Sequence, residues 1–438
     1  MFFKKCAKIG EKPIGNKGRE FLEFSAFAAQ ICAMLLQKII RSCFGCLAVL
    51  PLVLYGQNQP VPVADSTHTD VFLEELLKQH PLYFDSILAK KQEYNVQVIY
   101  TKIDRGANGI AGLKHYYFNV NPASYFNPAA SVKLPLAILT MQKLAELKSN
   151  GVDKSTTMLT EKAYSGQTAV LNDPTSSNGK PSVAQYLKRM LLVNDEEAAS
   201  RLYELLGQLY INQQLKEKGY VASQITERPG ANLTEDENRH TNPVKFYAPG
   251  NKLIHEQAAR FNTAPFTVQP NDWKSKSRLS LEEMHSILIS LIFPNKVTSA
   301  QRFLISDEDR KYILKYMSQW PTESSNPPYI DQPEIYYPAF SKYLLVGLGK
   351  DSVSPGIRIF NAAGEADGSM VDIAYIVDFD KKIEFFLSAV VDTRVDDYKA
   401  VSLPFMNHLG EVIYELELKR EKKIVPDLSE VKFEYDGR

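Results

Sequence analysis

The spacing of hydrophobic and polar positions changes along the chain, and each change marks an element. Residues 69–90 place Val71, Phe72, Leu76, Leu77, Phe84, Ile87 and Leu88 at helical intervals, which predicts one or two amphipathic helices. Tyr94–Ile103 and Tyr116–Val120 are rich in β-branched and aromatic residues and flank a turn region at Gly106–Gly112, the pattern of paired strands. The stretch 125–140, YFNPAASVKLPLAILT, then loses nearly all its polar positions. Leu134, Leu136, Ala137, Ile138 and Leu139 leave no polar face, so a helix here is expected inside the core. Asn127 is expected to cap it, Pro128 to take the first helical position and Asn150-Gly151 to end it.

Helical spacing returns over 182–218, with Gly207 as a stop. Residues 219–280 read as loop, punctuated by Pro229, Gly230, Pro243, Pro249, Gly250, Pro265 and Pro270. Helices are predicted near 281–292 and 300–318, followed by a second proline-rich stretch to about 338. The final third turns to strands at Tyr343–Val346, Ile357–Phe360, Met370–Phe379 and Ile383–Val391, the last two joined at Asp380-Lys381-Lys382. A helix from about 403 to 421 closes the chain. Strands at both ends with helices between them predict one sheet assembled from the two ends, with a helical lobe inserted.

At 438 residues the length allows two or three domains, and 51 basic against 51 acidic residues argues against a nucleic-acid partner. Met34 is followed by Lys38 and Arg41, an apolar run from Cys43 to Tyr55, and Gly56-Gln57. That order is the basic, apolar, small-residue sequence of a secretory signal, and the run is too short to span a bilayer. Residues 1–33 are then expected to be a start-site artefact, 34–56 a cleaved signal peptide, and 57–438 a periplasmic or secreted bacterial protein with no membrane span. Cys6, Cys32, Cys43 and Cys46 all precede Gln57, so the mature chain is expected to use no disulfide, thiolate metal site or cysteine nucleophile. Cys46 opens the apolar run instead of ending it, which argues against lipidation.

Lys133 is the chemical anomaly. An ammonium in an apolar helix is costly without a partner. Two readings are open: it snorkels to water from the helix end, or it belongs to a catalytic S-x-x-K whose serine, one turn earlier, attacks an acyl group. The residue three before it is Ala130, and Ser131, two before, lies about 200° away around a helix. The stretch reads as an acyl-transfer site without its nucleophile. Elsewhere, His255-Glu256 begins like H-E-x-x-H but Ala259 stands where the second histidine belongs, and Gly349-Lys350 reads as a turn. No metal and no cofactor are expected. Glu235–Asn238 reads as a solvated loop, Asp378-Phe379-Asp380 as a hairpin end, and His240 as structural or as part of a pocket rim.

Four segments in order, YFNPAASVKLP, VNDEEAASRLYELLG, TNPVKFY and IRIFNAAGEADG followed by AYIVDF, resemble the penicillin-recognising serine hydrolases, and among them the secreted class A β-lactamase-like proteins. The resemblance runs from about residue 94 to the C-terminus. It implies an α/β (α+β) three-layer sandwich of the β-lactamase/transpeptidase type, with an antiparallel sheet of about five strands flanked by helices. The sheet lobe would comprise about 57–129 plus 339–438, and an inserted all-helical lobe about 130–338. It also implies three site signatures, each degenerate here. S-x-x-K falls on Ala130-Ser131-Val132-Lys133, S-D-N on Asn194-Asp195-Glu196, and K-S/T-G on Ala362-Ala363-Gly364. The deacylating E-x-x-L-N loop is not matched by 226–242, although that stretch contains Glu227. Backbone N–H groups of Ala130 and Glu365 would form the oxyanion hole and survive side-chain changes.

Loss of a serine nucleophile typically costs about 10⁶ in kcat, and the other relay residues add little once it is gone. The expected function is therefore a catalytically inactive homologue that binds a peptidoglycan-derived or other small ligand, or a protein partner, in the old cleft. Two alternatives stay open: a hydrolase of β-lactams or D-alanyl substrates using Ser131 or an unrecognised nucleophile, and a structural protein of the periplasm. In the family the third S-D-N residue contacts the lysine, so Glu196 is expected to pair with Lys133. With a cation lost at Ala362 and an anion gained at Glu196, the cleft is expected to disfavour anionic ligands.

Overall fold

The computed structural model describes residues 66–265, 276–332, 334–337, 339–344 and 354–436. The signal-peptide reading of 34–56, the turn at Gly349-Lys350 and the second half of the expected strand Tyr343–Val346 lie outside those residues.

Two helices, α1 (Val71–Lys78) and α2 (Pro81–Leu88), precede the hairpin β1 (Gln97–Arg105) and β2 (Ala111–Phe118). A turn of 3₁₀ helix (Ala129–Val132) leads into α3 (Lys133–Leu147), and β3 (Thr157–Thr160) follows. Next come α4 (Val183–Val193), α5 (Glu196–Leu206), α6 (Gln208–Glu217), the short α7 (Glu235–Arg239), β4 (Val244–Ala248) and β5 (Lys252–Gln257). Helices α8 (Leu281–Ile292) and α9 (Asp307–Ser318) return the chain to β6 (Ile357–Ala366), β7 (Ser369–Asp378) and β8 (Ile383–Asp392), and α10 (Tyr398–Lys419) ends it. No helix among the described residues is long and apolar enough to cross a membrane.

The main sheet has five strands in the order β2-β1-β8-β7-β6, every neighbouring pair antiparallel. Both ends of the chain build it, because β1 from the N-terminal half pairs with β8 from the C-terminal half, Val98 opposite Ala389. Alternation along each strand divides the apolar side chains between two layers. Phe386 and Val390 of β8 face the core shared with α3 and α8, while Phe385, Leu387 and Val391 face the core shared with α1, α2 and α10. The result is a three-layer sandwich with a helical lobe inserted between β2 and β6.

From Lys133 to Gln142 α3 is buried on all sides, with Leu134, Leu136, Ala137, Ile138, Leu139 and Met141 at 0% exposure, and its last turn reaches solvent at Ala145 and Glu146. Asn127 Oδ1 accepts the Ala129 N–H (2.9 Å) in a turn before the helix and does not cap it as expected; Pro128 holds the cap position of the 3₁₀ turn and lies outside α3. Gly151, at φ 79°, ends the segment in the left-handed region that favours glycine.

Four expectations differ from what is found. The loop-rich 219–280 contributes β4 and β5, which pair with β3 into a second, three-stranded sheet on the helical lobe. These strands are short and half exposed, and prolines beside them masked their alternation. Glu235–Asn238 is not a loop but most of α7, whose start is closed by a reciprocal capping box between Thr234 and Glu237. The helix expected from 300 begins at Asp307, where the Ser306 hydroxyl accepts the Asp309 N–H. Tyr343 and Leu344 form a turn and not a strand.

Candidate functional site

A cleft of about 810 Å³ opens between the start of α3, the α4–α5 junction, residues 227–231, segment 339–343 and the end of β6. Ala130, Lys133, Asn194, Glu196 and Glu365 all line it. Ala362 lines a small recess next to it, together with Ala130, Lys133 and Asn194.

The α3 side is built on a strained turn. Ala129 holds φ at 45°, a conformation that costs an L-residue about 1 kcal/mol or more and persists only where surrounding structure enforces it. The enforcement comes from β6. A Cβ on Gly364 would lie 2.6 Å from the Ala130 amide nitrogen, 2.8 Å from that of Ser131 and 2.9 Å from the Pro128 carbonyl oxygen. Only glycine permits that approach, so Gly364 seats the 3₁₀ turn against the strand. Ser131 is fully buried; its hydroxyl donates to the Pro128 carbonyl (2.6 Å) and contacts Met284 Sδ (3.4 Å). It faces α8 and does not line the cleft, which removes the reading in which Ser131 attacks a substrate.

Lys133 is buried, and its amine donates to the backbone oxygen of Asn194 (2.6 Å) and to Asn194 Oδ1 (2.7 Å). Asn194 can offer both because it ends α4 at φ 58°, which turns its carbonyl and side chain to the same side. The neighbouring Asp195 is occupied structurally. Its Oδ1 caps α5 by accepting the Ala198 N–H (2.8 Å), and its Oδ2 accepts from Arg189 (2.7 Å).

The expected Glu196–Lys133 pair is not formed. Glu196 is exposed in the first turn of α5, no carboxylate among the described residues makes a salt bridge with Lys133, and Asn194 holds the amine instead. Burial lowers the Lys133 ammonium to about 8, with Glu196 and Asp195 opposing this only through space.

Among the described residues the cleft carries charges of both signs. Lys133, Arg228, Lys342 and Lys399 line the cleft with Glu196, Glu227 and Glu365. Lys399 pairs with Glu365 (2.6 Å), Arg228 with the buried Glu204 (3.0 Å), and Glu227 with Lys276 (2.9 Å) while also accepting the Ser277 N–H (2.9 Å). Sequence reasoning missed Lys342 altogether. Its buried ammonium donates to Asn361 Oδ1 (2.7 Å) and to the carbonyls of Met317 (2.9 Å) and Ile359 (3.0 Å), so a cation stands beside β6 although Ala362 carries none. Asn361 Nδ2 in turn donates to Asp372 (2.8 Å), whose other oxygen accepts the N–H groups of Tyr343 (2.9 Å) and Leu344 (3.0 Å). The visible signals were Asn361 and Asp372, polar residues in otherwise apolar strands. His240 is structural: it stacks between Tyr164 (3.5 Å between centroids) and Phe261 (4.5 Å), away from the cleft.

A sequence profile of the β-lactamase enzyme family matches residues 83–416. A comparison with curated proteins finds no match. Among solved structures, the chain is similar to the TLA-3 extended-spectrum β-lactamase at 12% identity and TM-score 0.47, covering 79% of this chain and 99% of that one. An ancestral class A β-lactamase is similar at 14% identity and TM-score 0.43 (78% and 99% covered), and a β-lactamase from Burkholderia vietnamiensis at 11% and 0.46 (81% and 99%).

Proposed function

The chain belongs to the β-lactamase enzyme family, and we propose that within it the protein is a non-hydrolytic binding protein, secreted or periplasmic through a signal peptide at 34–56. The mature chain from 57 would present the cleft between its sheet and helical lobes to a peptidoglycan-derived or other small ligand. One observation carries this reading: the position one turn before the cleft lysine is Ala130, and the neighbouring hydroxyl of Ser131 is sealed against Met284. With no hydroxyl at the position one turn before the lysine, the family's acyl-enzyme route has no nucleophile, and the side chains that would serve its relay are replaced. What remains is a cleft with charges of both signs, suited to a zwitterionic ligand such as a stem peptide. The remnant residues Asn194, Asp195, Glu196, Ala362 and Gly364 then act in architecture and binding.

The test has two arms. Purified protein incubated with a fluorescent penicillin and run through denaturing electrophoresis should carry no label, and a covalent adduct sinks the reading. Calorimetric titration with soluble muropeptides should show saturable binding without product. Neither binding nor label would leave the cleft without a ligand of this class and count against the proposal.

A further inference from the structure

The same cleft contains a nucleophile of a different kind, the amine of Lys133. A neutral amine has two N–H donors and one lone pair. Here two acceptors, the carbonyl oxygen and Oδ1 of Asn194, lie at 2.6 and 2.7 Å, and both belong to one residue. Two donors matched to two oxygens on one side leave the lone pair as the remaining position of the nitrogen tetrahedron. Among the described residues no carboxylate forms a salt bridge that would hold the third proton in place, although Asp195 and Glu196 act on the group from the α5 side. The residue lines an open cavity of about 810 Å³, large enough for a small organic ligand.

We propose that Lys133 captures a small carbonyl compound, an aldehyde or an α-keto acid, as a reversible Schiff base in this cleft. This rests on the reading of the cleft as a ligand site and names the ligand's chemistry. The nitrogen lone pair attacks the carbonyl carbon, the C=O π pair moves to oxygen, and that oxygen takes up a proton as nitrogen gives one to solvent. The carbinolamine then expels its hydroxyl as water when a proton is supplied, leaving C=N; amine plus carbonyl gives imine plus water, with no change in oxidation state. A protonated imine keeps one N–H, which Asn194 can still accept, and the charges of Asp195 and Glu196 favour that cation. The environment supports the chemistry independently of the geometry. Burial brings the ammonium to about 8 from an ordinary 10.5, which raises its deprotonated fraction at neutral pH by about two orders of magnitude. Lys342 does not offer the same free position, because three oxygens, not two, engage its amine.

The test is reductive trapping on the intact folded protein, with glyoxylate and sodium cyanoborohydride at neutral pH and peptide mapping by mass spectrometry over time. Lys133 is expected to be labelled at least about tenfold faster than exposed lysines such as Lys162 and Lys381, since its larger amine fraction outweighs its lower basicity. Labelling at Lys133 no faster than at those lysines overturns the proposal. The wild-type map decides this alone, so the outcome does not depend on whether a variant folds. In Lys133→Arg, confirmed folded by its melting curve, the fast phase should vanish; a fast phase that persists elsewhere also overturns the assignment. The fluorescent-penicillin arm reads a hydroxyl acyl adduct and the trapping arm an amine. Failure of the non-hydrolytic reading therefore appears as a penicillin adduct on a hydroxyl, and failure of this proposal as the lack of fast trapping at Lys133, so the two are distinguishable.

Discussion

Lys133 and Lys342 are both buried lysines at the same cleft, and burial lowers the ammonium of each. What surrounds them differs. Lys342 donates to three oxygens, two of them carbonyls of the fully buried Met317 and Ile359, and through Asn361 it joins the equally buried Asp372. Lys133 donates to two oxygens of a half-buried Asn194 that borders the cleft. A buried lysine whose donors are all matched to sealed acceptors is a structural clamp. One whose acceptors border open space is held loosely enough, in energy, to be chemically available. The distinction comes from counting donors and asking whether water could replace them, not from burial alone.

The contrast makes its largest prediction at Lys342. Replacing it with Met removes the donor from three buried oxygens at once and leaves Asp372 without its nearby cation. Lys342→Met should lose about 3 kcal/mol or more of unfolding free energy in urea titration. A loss under about 1 kcal/mol would mean that water reaches those carbonyls, and the two lysines would no longer differ in kind. Next in size is Gly364→Ala. Its Cβ would meet backbone atoms of residues 128–131, which cannot swing aside as a side chain can. A cost of about 2 kcal/mol is expected, with looser ligand binding because the 3₁₀ turn is displaced from the cleft wall.

These predictions fall on residues of unequal visibility in the sequence. The buried helix α3 and the long strands β7 and β8 were legible, because a segment with no polar face can only be placed inside. β3, β4 and β5 were not, since LIHEQ and VKFYA lie half exposed beside Pro243 and Pro249, and pairing with a strand some 85 residues earlier decides their state. At the cleft, motif order placed Ala130, Lys133 and Asn194 near one another, as the structure has them. It misassigned the lysine's partner because Glu196 follows Asp195, the residue that caps α5, and so starts on the outside of the helix. Asn194, in the left-handed turn before it, faces inward. Lys342 carried no local mark at all. It is brought to β6 by tertiary packing, and only Asn361 and Asp372 hinted that something polar had to meet them.

A smaller effect separates the lysines in pH. Lys133 has a folded-state pKa near 8 against 10.5 for an ordinary lysine, so between those values the unfolded chain binds more protons than the folded one. Stability therefore rises with pH across that window, by up to about 3 kcal/mol from this group, and the cost is fully present below it. Lys133→Met removes that cost together with the bonds to Asn194, whose oxygens water can take over. At pH 7 its stability should lie within about 1 kcal/mol of wild type. Denaturation midpoints compared at pH 7 and pH 10 should show a wild-type gain that the variant lacks in part, the remainder coming from Lys342. An identical gain in both proteins would show that Lys133 is an ordinary, solvated ammonium.

The smallest change expected in stability, within about 0.5 kcal/mol, belongs to Ala130→Ser, since that methyl already lines the cleft and a hydroxyl there meets solvent. Its chemical effect is the sharper one. It sets a hydroxyl one helical turn before Lys133, whose two donors are already committed to Asn194 and whose lone pair could accept a proton. One part of an acylating pair is thereby restored. The rest of the relay is not. Asn194 offers oxygens and no hydroxyl to pass the proton onward, and no cation of β6 itself receives a ligand carboxylate. Glu227 is bound to Lys276 and the Ser277 N–H and is not free to activate water. The variant should therefore acquire fluorescent penicillin slowly and hold it, visible as a band that grows over hours and survives a chase with unlabelled drug, while chromogenic cephalosporin is not turned over. Efficient turnover would mean that Lys133 works as a general base with partners supplied elsewhere in the cleft. It would then be poised for proton transfer, and the case for its amine as the nucleophile would weaken accordingly.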